Sequence, residues 1–235
     1  GLNVKPRRDI CFATSGEVSP SCIYGGEQIS AIVIGDSHAD AITTAVTAAT
    51  DSPLKGVLDW SYVSCPTIFG LHVLDEYKEL NCFAFNYWAK VEINKYDKSI
   101  PLVIINRASV YALGQHNIKE KMNVPLSYFT ETQKTITDNF LHAYSTALVE
   151  TACYFAKDMA VYITRPIPEM MNDVPKTMAR ALMFGKADPL ISISLEAYHA
   201  RHAVVWAAQD EAARQCGVKI LDPLPYLCHD GRCWS

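Results

Sequence analysis

Four consecutive residues, Gly35-Asp36-Ser37-His38, put a carboxyl, a hydroxyl and an imidazole at one point of the chain. They follow the apolar run Ser30-Ala-Ile-Val-Ile-Gly35 and precede an Ala/Thr-rich stretch. That pattern describes a buried strand that ends at Gly and turns into a helix. Gly permits the tight turn. Ser37 then lies near the first helical turn, exposed at the sheet edge. There its backbone N–H can point at a developing oxyanion, and the helix dipole favours negative charge. The chemistry this suggests is that of a nucleophilic serine. Asp36 also reads as a plain helix N-cap. His38 adjoins Ser37, so on a helix its side chain points to a different face and it makes a poor base. A structural hydrogen bond and a contact at the substrate's edge are its two readings.

A rigid scaffold must hold such a serine. Apolar runs predict strands over 30–35, 57–63, 101–106, 159–164 and 218–221. Helical patterns cover 38–50, 72–96 (through Leu74, Tyr77, Leu80, Phe83 and Trp88), 127–157 and 192–216. Pro166 and Pro168 stop the fourth strand, and Pro223 and Pro225 close the last. The alternation implies βαβ crossovers. The expected fold is a three-layer α/β/α doubly wound domain with a five-stranded, mainly parallel sheet. Ligands bind such folds at the carboxyl ends of the strands. That rule selects Asn106-Arg107, Thr164-Arg165 and Asp222 beside the serine motif. Residues 1–28 are polar and irregular and read as an entry arm pinned by disulfides. The domain proper is expected over 29–235.

Composition excludes several classes. With 49% apolar and 20% charged residues the chain is no disordered segment. A net charge of −4 gives no footprint for nucleic acid. The apolar runs are far too short to span a bilayer. The chain opens Gly1-Leu2-Asn3 without a leader, so we expect a processed piece. Eight cysteines and no C-x-x-C string favour disulfides in an oxidising compartment over the rival reading, zinc. His199 and His202 lack a nearby third ligand, and no metal is expected.

The string "AIVIGDSHADAI" resembles the first motif of the SGNH (GDSL-like) hydrolase superfamily. More narrowly, the chain is similar to the periplasmic SGNH domains fused to bacterial membrane acyltransferase family 3 proteins. Further marks occur in order. Cys11 and Cys22 precede the motif; Cys65-Pro-Thr-Ile-Phe-Gly70 and Cys82 follow it. Then come "LVIINRASVYALG", Pro166-Ile-Pro-Glu169 with Val174-Pro175, and Asp222-Pro223 with Cys228 and Cys233. The resemblance implies an SGNH, flavodoxin-like fold and acyl transfer through Ser37. The oxyanion donors it implies are the Ser37 N–H, Gly70 or a neighbouring N–H, and Asn106. The family often carries a small residue and then Arg-Trp where this chain has Asn106, Arg107 and Ala108. Arg107 has two readings, a substrate contact and a structural ion pair. The implied disulfides are Cys11–Cys22, Cys65–Cys82 and Cys228–Cys233, with Cys153–Cys216 as the remaining pair.

No bound cofactor is implied. The acetyl donor would be delivered by an upstream transmembrane acyltransferase domain, and the acceptor would be a cell-surface polysaccharide. The place implied is the periplasmic or extracytoplasmic face of a membrane. The superfamily's acid and base resemble an Asp-x-x-His after the last strand. No such string occurs here. Glu196-Ala-Tyr-His199 falls on a predicted helix before that strand, and His229, a substitute base, sits inside the short Cys228–Cys233 loop. The expectation is that the acid/base segment lies beyond Ser235; the rival is a domain that has lost catalysis. Two other functions remain open: a non-catalytic carbohydrate-binding or scaffolding domain, using Trp60, Trp88, Trp206 or Trp234, and a secreted carbohydrate esterase.

Overall fold

The computed structural model describes residues 5–75, 78–116, 124–132, 135–185 and 190–234. Among them, six strands form the central sheet. They are β1 (Cys22–Gly25), β2 (Gln28–Gly35), β3 (Lys55–Ser61), β4 (Leu102–Ile105), β5 (Val161–Thr164) and β6 (Lys219–Leu221). The spatial order is β1-β3-β2-β4-β5-β6. β2 through β6 are parallel, and β1 joins β3 antiparallel at the edge. The parallel five are the expected doubly wound sheet. The sixth comes from the arm that read as irregular, because four residues are too few to show a period.

Alternation of side chains along the strands divides the core in two. Ile32, Ile34, Leu58, Trp60, Leu102, Ile104, Val161 and Ile163 face one side. Ala31, Val33, Val57, Val103 and Ile105 face the other. The second face is covered by α1 (Ser37–Ala48) through Ala39, Ile42 and Val46. The first is covered by α2 (Cys82–Glu92), α4 (Asp138–Ala156) and α6 (Leu195–Cys216). The short α3 (Ala108–Leu113) follows β4, and α5 (Val174–Met183) lies between β5 and α6.

Two expected helices begin later than their patterns suggest. His72–Asp75 and Lys78–Leu80 form an antiparallel pair before α2 starts, and residues 76–77, Tyr77 among them, lie outside the described residues. Ser127–Tyr128 adds a third strand to that pair. The helix expected from 127 instead starts after Thr137, whose side chain accepts the Phe140 N–H at 3.2 Å; residues 133–134 lie outside the description. Ser194 caps α6 in the same way, after Ser192–Ser194 has paired with Arg232–Trp234. All eight cysteines are paired, as Cys11–Cys22, Cys65–Cys82, Cys153–Cys216 and Cys228–Cys233. The third pair ties α4 to α6. Trp60 is fully buried against Trp88 and Tyr96, so those tryptophans serve the core.

Candidate active site

Gly35 is the last residue of β2 and pairs with Ile105 of β4. Without the edge strand the sheet runs in the order second-first-third-fourth-fifth, so the direction of winding reverses between β2 and β4. Doubly wound folds open their ligand crevice at that reversal. Asp36 stands there, fully buried, and caps α1 by accepting the His38 N–H at 2.8 Å. Its other oxygen accepts the Arg107 N–H at 2.7 Å and the Tyr111 hydroxyl at 2.9 Å. The plain N-cap reading is therefore right, and the same carboxylate also fastens the end of β4 to the end of β2. Burial, with the Asp36 charge beside it, pushes the Tyr111 phenol well above its ordinary range. Tyr111 stays a donor at any working pH.

Ser37 is the exposed first residue of α1. It opens on a cleft of about 520 Å³ shared with Lys5, Arg8, Asp40 and Thr44. Among the described residues no imidazole is hydrogen-bonded to its hydroxyl. Asn106 lies one residue past β4 at the same sheet edge, and its Oδ1 accepts the Thr67 N–H at 3.1 Å. That bond turns the Asn106 carbonyl away, toward the 65–70 loop. Gly70 sits further along that loop near Phe129, with φ +76°. The loop residue that meets Asn106 is Thr67, which sequence reasoning missed.

His38 faces another way, as expected for its place on the helix. Its Nδ1 is 3.5 Å from Asp36, and its ring lines a second cavity with Arg107, Glu169 and Trp234. Arg107 is paired, its Nε donating to Glu169 at 2.7 Å. The second Glu169 oxygen accepts from Arg201 of α6 at 2.9 Å. Burial alone would raise the Glu169 carboxyl, but Arg107 and Arg201 outweigh it and hold it below the usual carboxylate range. Arg107 thus has the structural ion pair; its outer edge still faces the cavity. Sequence reading had noted Glu169 only as part of a motif.

The arm contributes to the same helix. Lys5 is buried between Asp40 of α1, at 2.6 Å, and Asp59 of β3, at 2.7 Å. Burial works against the charged amine, yet the two aspartates leave its pKa raised. Arg8 takes the other Asp40 oxygen. The turn after Ser37 is therefore anchored from outside the sheet by residues that the sequence alone did not single out.

The remaining candidates are dispersed. Arg165 is buried, stacks over Trp206 at 4.0 Å, and bonds Gln209 and Asp210. Asp222 caps the turn at Leu224. His199 packs edge-on against Trp206, an ordinary helix-face role, and Glu196 stands in the first turn of α6. His229 is exposed, 3.1 Å from Asp230, and stacks on Trp234. No group of three or more metal-ligating side chains occurs among the described residues.

His202 is different. It is fully buried, and its Nδ1 shares a 2.6 Å hydrogen bond with Ser109 of α3. Burial drives its pKa down to about 4. The unfolded chain therefore takes up a proton near pH 6.5, well before the folded one does. Stability should fall by about 3 kcal/mol as pH drops from about 6.5 to 4. Urea melts of wild type and His202→Phe over that range check it. An unchanged pH slope in the variant sinks the assignment.

A family model described as the SGNH domain (fused to AT3 domains) matches residues 9–235. The chain belongs to this family. Its fold is also similar to a solved structure described as the Salmonella ser. Paratyphi A lipopolysaccharide acetyltransferase periplasmic domain. The TM-score is 0.58 at 14% identity, covering 97% of this chain and 79% of that one. At that identity the likeness speaks for the SGNH fold. No curated protein matches the sequence. No helix of this SGNH domain, among the described residues, is long and apolar enough to cross a membrane.

Proposed function

We propose that this SGNH domain is an extracytoplasmic O-acyltransferase, most simply an O-acetyltransferase, acting on a cell-surface polysaccharide. The observation that carries the reading is Ser37 itself. It is an exposed hydroxyl on the first residue of a helix, at the end of a buried strand, beside a fully buried and fully bonded Asp36. Ser37 Oγ attacks the donor carbonyl and gives up its proton to a base. The new oxyanion is held by the Ser37 N–H, the Asn106 side-chain N–H₂ and an N–H of the 65–70 loop, Gly70 being the one the family pattern indicates. The oxyanion collapses by breaking the bond from the acyl carbon to the donor's carrier, which leaves with the proton. A glycan hydroxyl then attacks the serine ester and gives its proton to the base, and Ser37 Oγ leaves and takes a proton back. The donor comes from a membrane acyltransferase domain, which the family's fusion to AT3 domains supports. Four disulfides support an oxidising location such as the periplasm.

The test is Ser37→Ala in the full-length protein, with acetyl esters on the surface polysaccharide measured by NMR. Esters should fall to background; wild-type levels would refute the serine mechanism. A second reading, a non-catalytic glycan-binding domain, is favoured by one observation: no imidazole is bonded to Ser37 among the described residues. It predicts normal acetylation in Ser37→Ala and loss of acetylation when the whole domain is deleted.

A further inference from the structure

We infer that the cavity between His38, Arg107 and Trp234 binds a sugar residue that carries a carboxylate. Calling it the acceptor subsite rests on the acyl-transfer reading of Ser37; the binding itself does not. The cavity measures about 420 Å³, within the roughly 300–1,000 Å³ of small-molecule sites. It opens at the reversal between β2 and β4 and is lined by His38, the immediate neighbour of Ser37, which lines the other cleft. A glycan chain can therefore lie across the helix start with one ring here and the next near the hydroxyl.

The chemistry of its wall selects the ligand. Arg107 spends only Nε on Glu169, and neither terminal nitrogen is hydrogen-bonded to a described residue. Its side chain is about a third exposed, at 32%. The His38 Nδ1 and the Trp234 indole N–H are both buried without a hydrogen-bond partner. Asn172 stands exposed on the rim. The nearby acceptors are already taken: both Glu169 oxygens by arginines, both Asp36 oxygens by N–H and O–H donors. The partly exposed Arg107 guanidinium lines the cavity while the nearby carboxylates are taken, so the wall suits a ligand that supplies acceptors. A free guanidinium edge matches a carboxylate in two parallel hydrogen bonds. The indole offers an apolar plane for the C–H face of a sugar ring, and Pro168, Val174 and Leu227 keep water from the rest.

Trp234 is held in place for this role. It pairs with Ser192, follows the disulfide-bonded Cys233 and stacks against His229. Among the described residues, Trp234 belongs to none of the hydrophobic core clusters.

Calorimetric titration of this domain with a tetrasaccharide of alternating glucuronic acid and N-acetylglucosamine, and with its carboxyl-reduced counterpart, tests the inference. The charged sugar should bind at least tenfold more tightly. Trp234→Ala should weaken both at least tenfold. Arg107→Gln should make the two equal. Arg107 also supports Glu169, so its variant is compared only with a native near-UV spectrum; Trp234→Ala stands independently. Equal affinity for the two sugars in wild type, no binding of either, or an unaffected Trp234→Ala each overturns it. The titration contains no acyl donor. A failure here therefore speaks against the cavity alone, and a fully active Ser37→Ala speaks against the serine mechanism alone.

Discussion

Gly35→Ala is expected to cost about 3 kcal/mol or more of folding stability and to disable the site even in the molecules that fold. A Cβ at this position would lie 1.9 Å from the Ile105 carbonyl oxygen and 2.9 Å from Asn106 Oδ1. The first contact is with backbone, so no rotamer change relieves it. The φ of +152° also lies where L side chains are strained. β2 and β4 would have to separate at the carboxyl end, where Asp36 holds the Arg107 N–H at 2.7 Å. The displaced groups are the ones that flank Ser37. A control separates this from simple loss of glycine: Gly217, at φ +71°, has nothing within 4 Å of its Cβ position. Gly217→Ala should cost only about 1–2 kcal/mol. Denaturant melts of both variants check the difference. Equal costs would mean that the strands yield at the site more easily than their register implies.

Glu169→Ala is expected to destabilise by about 3–5 kcal/mol, the scale for breaking a buried ion pair by removing one partner. Glu169 is 6% exposed and bridges Arg107, beside the serine motif, to Arg201 on α6. Removing it leaves the mostly buried Arg201, among the described residues, with the Leu113 and Gly114 carbonyls. The pH dependence follows from the direction of the Glu169 shift. Its folded pKa lies below the unfolded value, so its contribution is complete above about pH 4.3 and is lost as pH falls through the lower folded value. Wild type and Glu169→Gln should therefore differ most near neutrality and converge in acid. Melts at pH 7 and pH 3 measure this. A variant within 1 kcal/mol of wild type at pH 7, or a gap no smaller at pH 3 than at pH 7, contradicts the buried-bridge account.

Much of the scaffold was legible because the information is local. A run such as Ala31–Ile34 followed by Gly35 encodes a buried strand and a turn within a few residues, and the Asp36 cap is decided two residues away. The long helix α6 shows its own period, burying Tyr198, His202, Val205, Gln209 and Ala212 on one side. Where segments were short the pattern had no room to declare itself. Strand β1 and the pair at 72–80 owe their form to the strands they meet, β3 and Ser127–Tyr128.

By itself, then, the sequence determined that a serine stands at the head of a helix, at the carboxyl edge of a mainly parallel sheet, in a chain suited to disulfides. These are properties of neighbouring residues and of their alternation. Only the tertiary structure decided what surrounds that serine. Asp36 meets Arg107 and Tyr111 across 71 and 75 residues, and Glu169 meets Arg107 across 62. Lys5 reaches Asp59 across 54. Buried charges must find partners, because leaving one unpaired in the interior costs several kcal/mol. Which partner each finds depends on where the chain brings distant strands and helices together, and no local spacing records that.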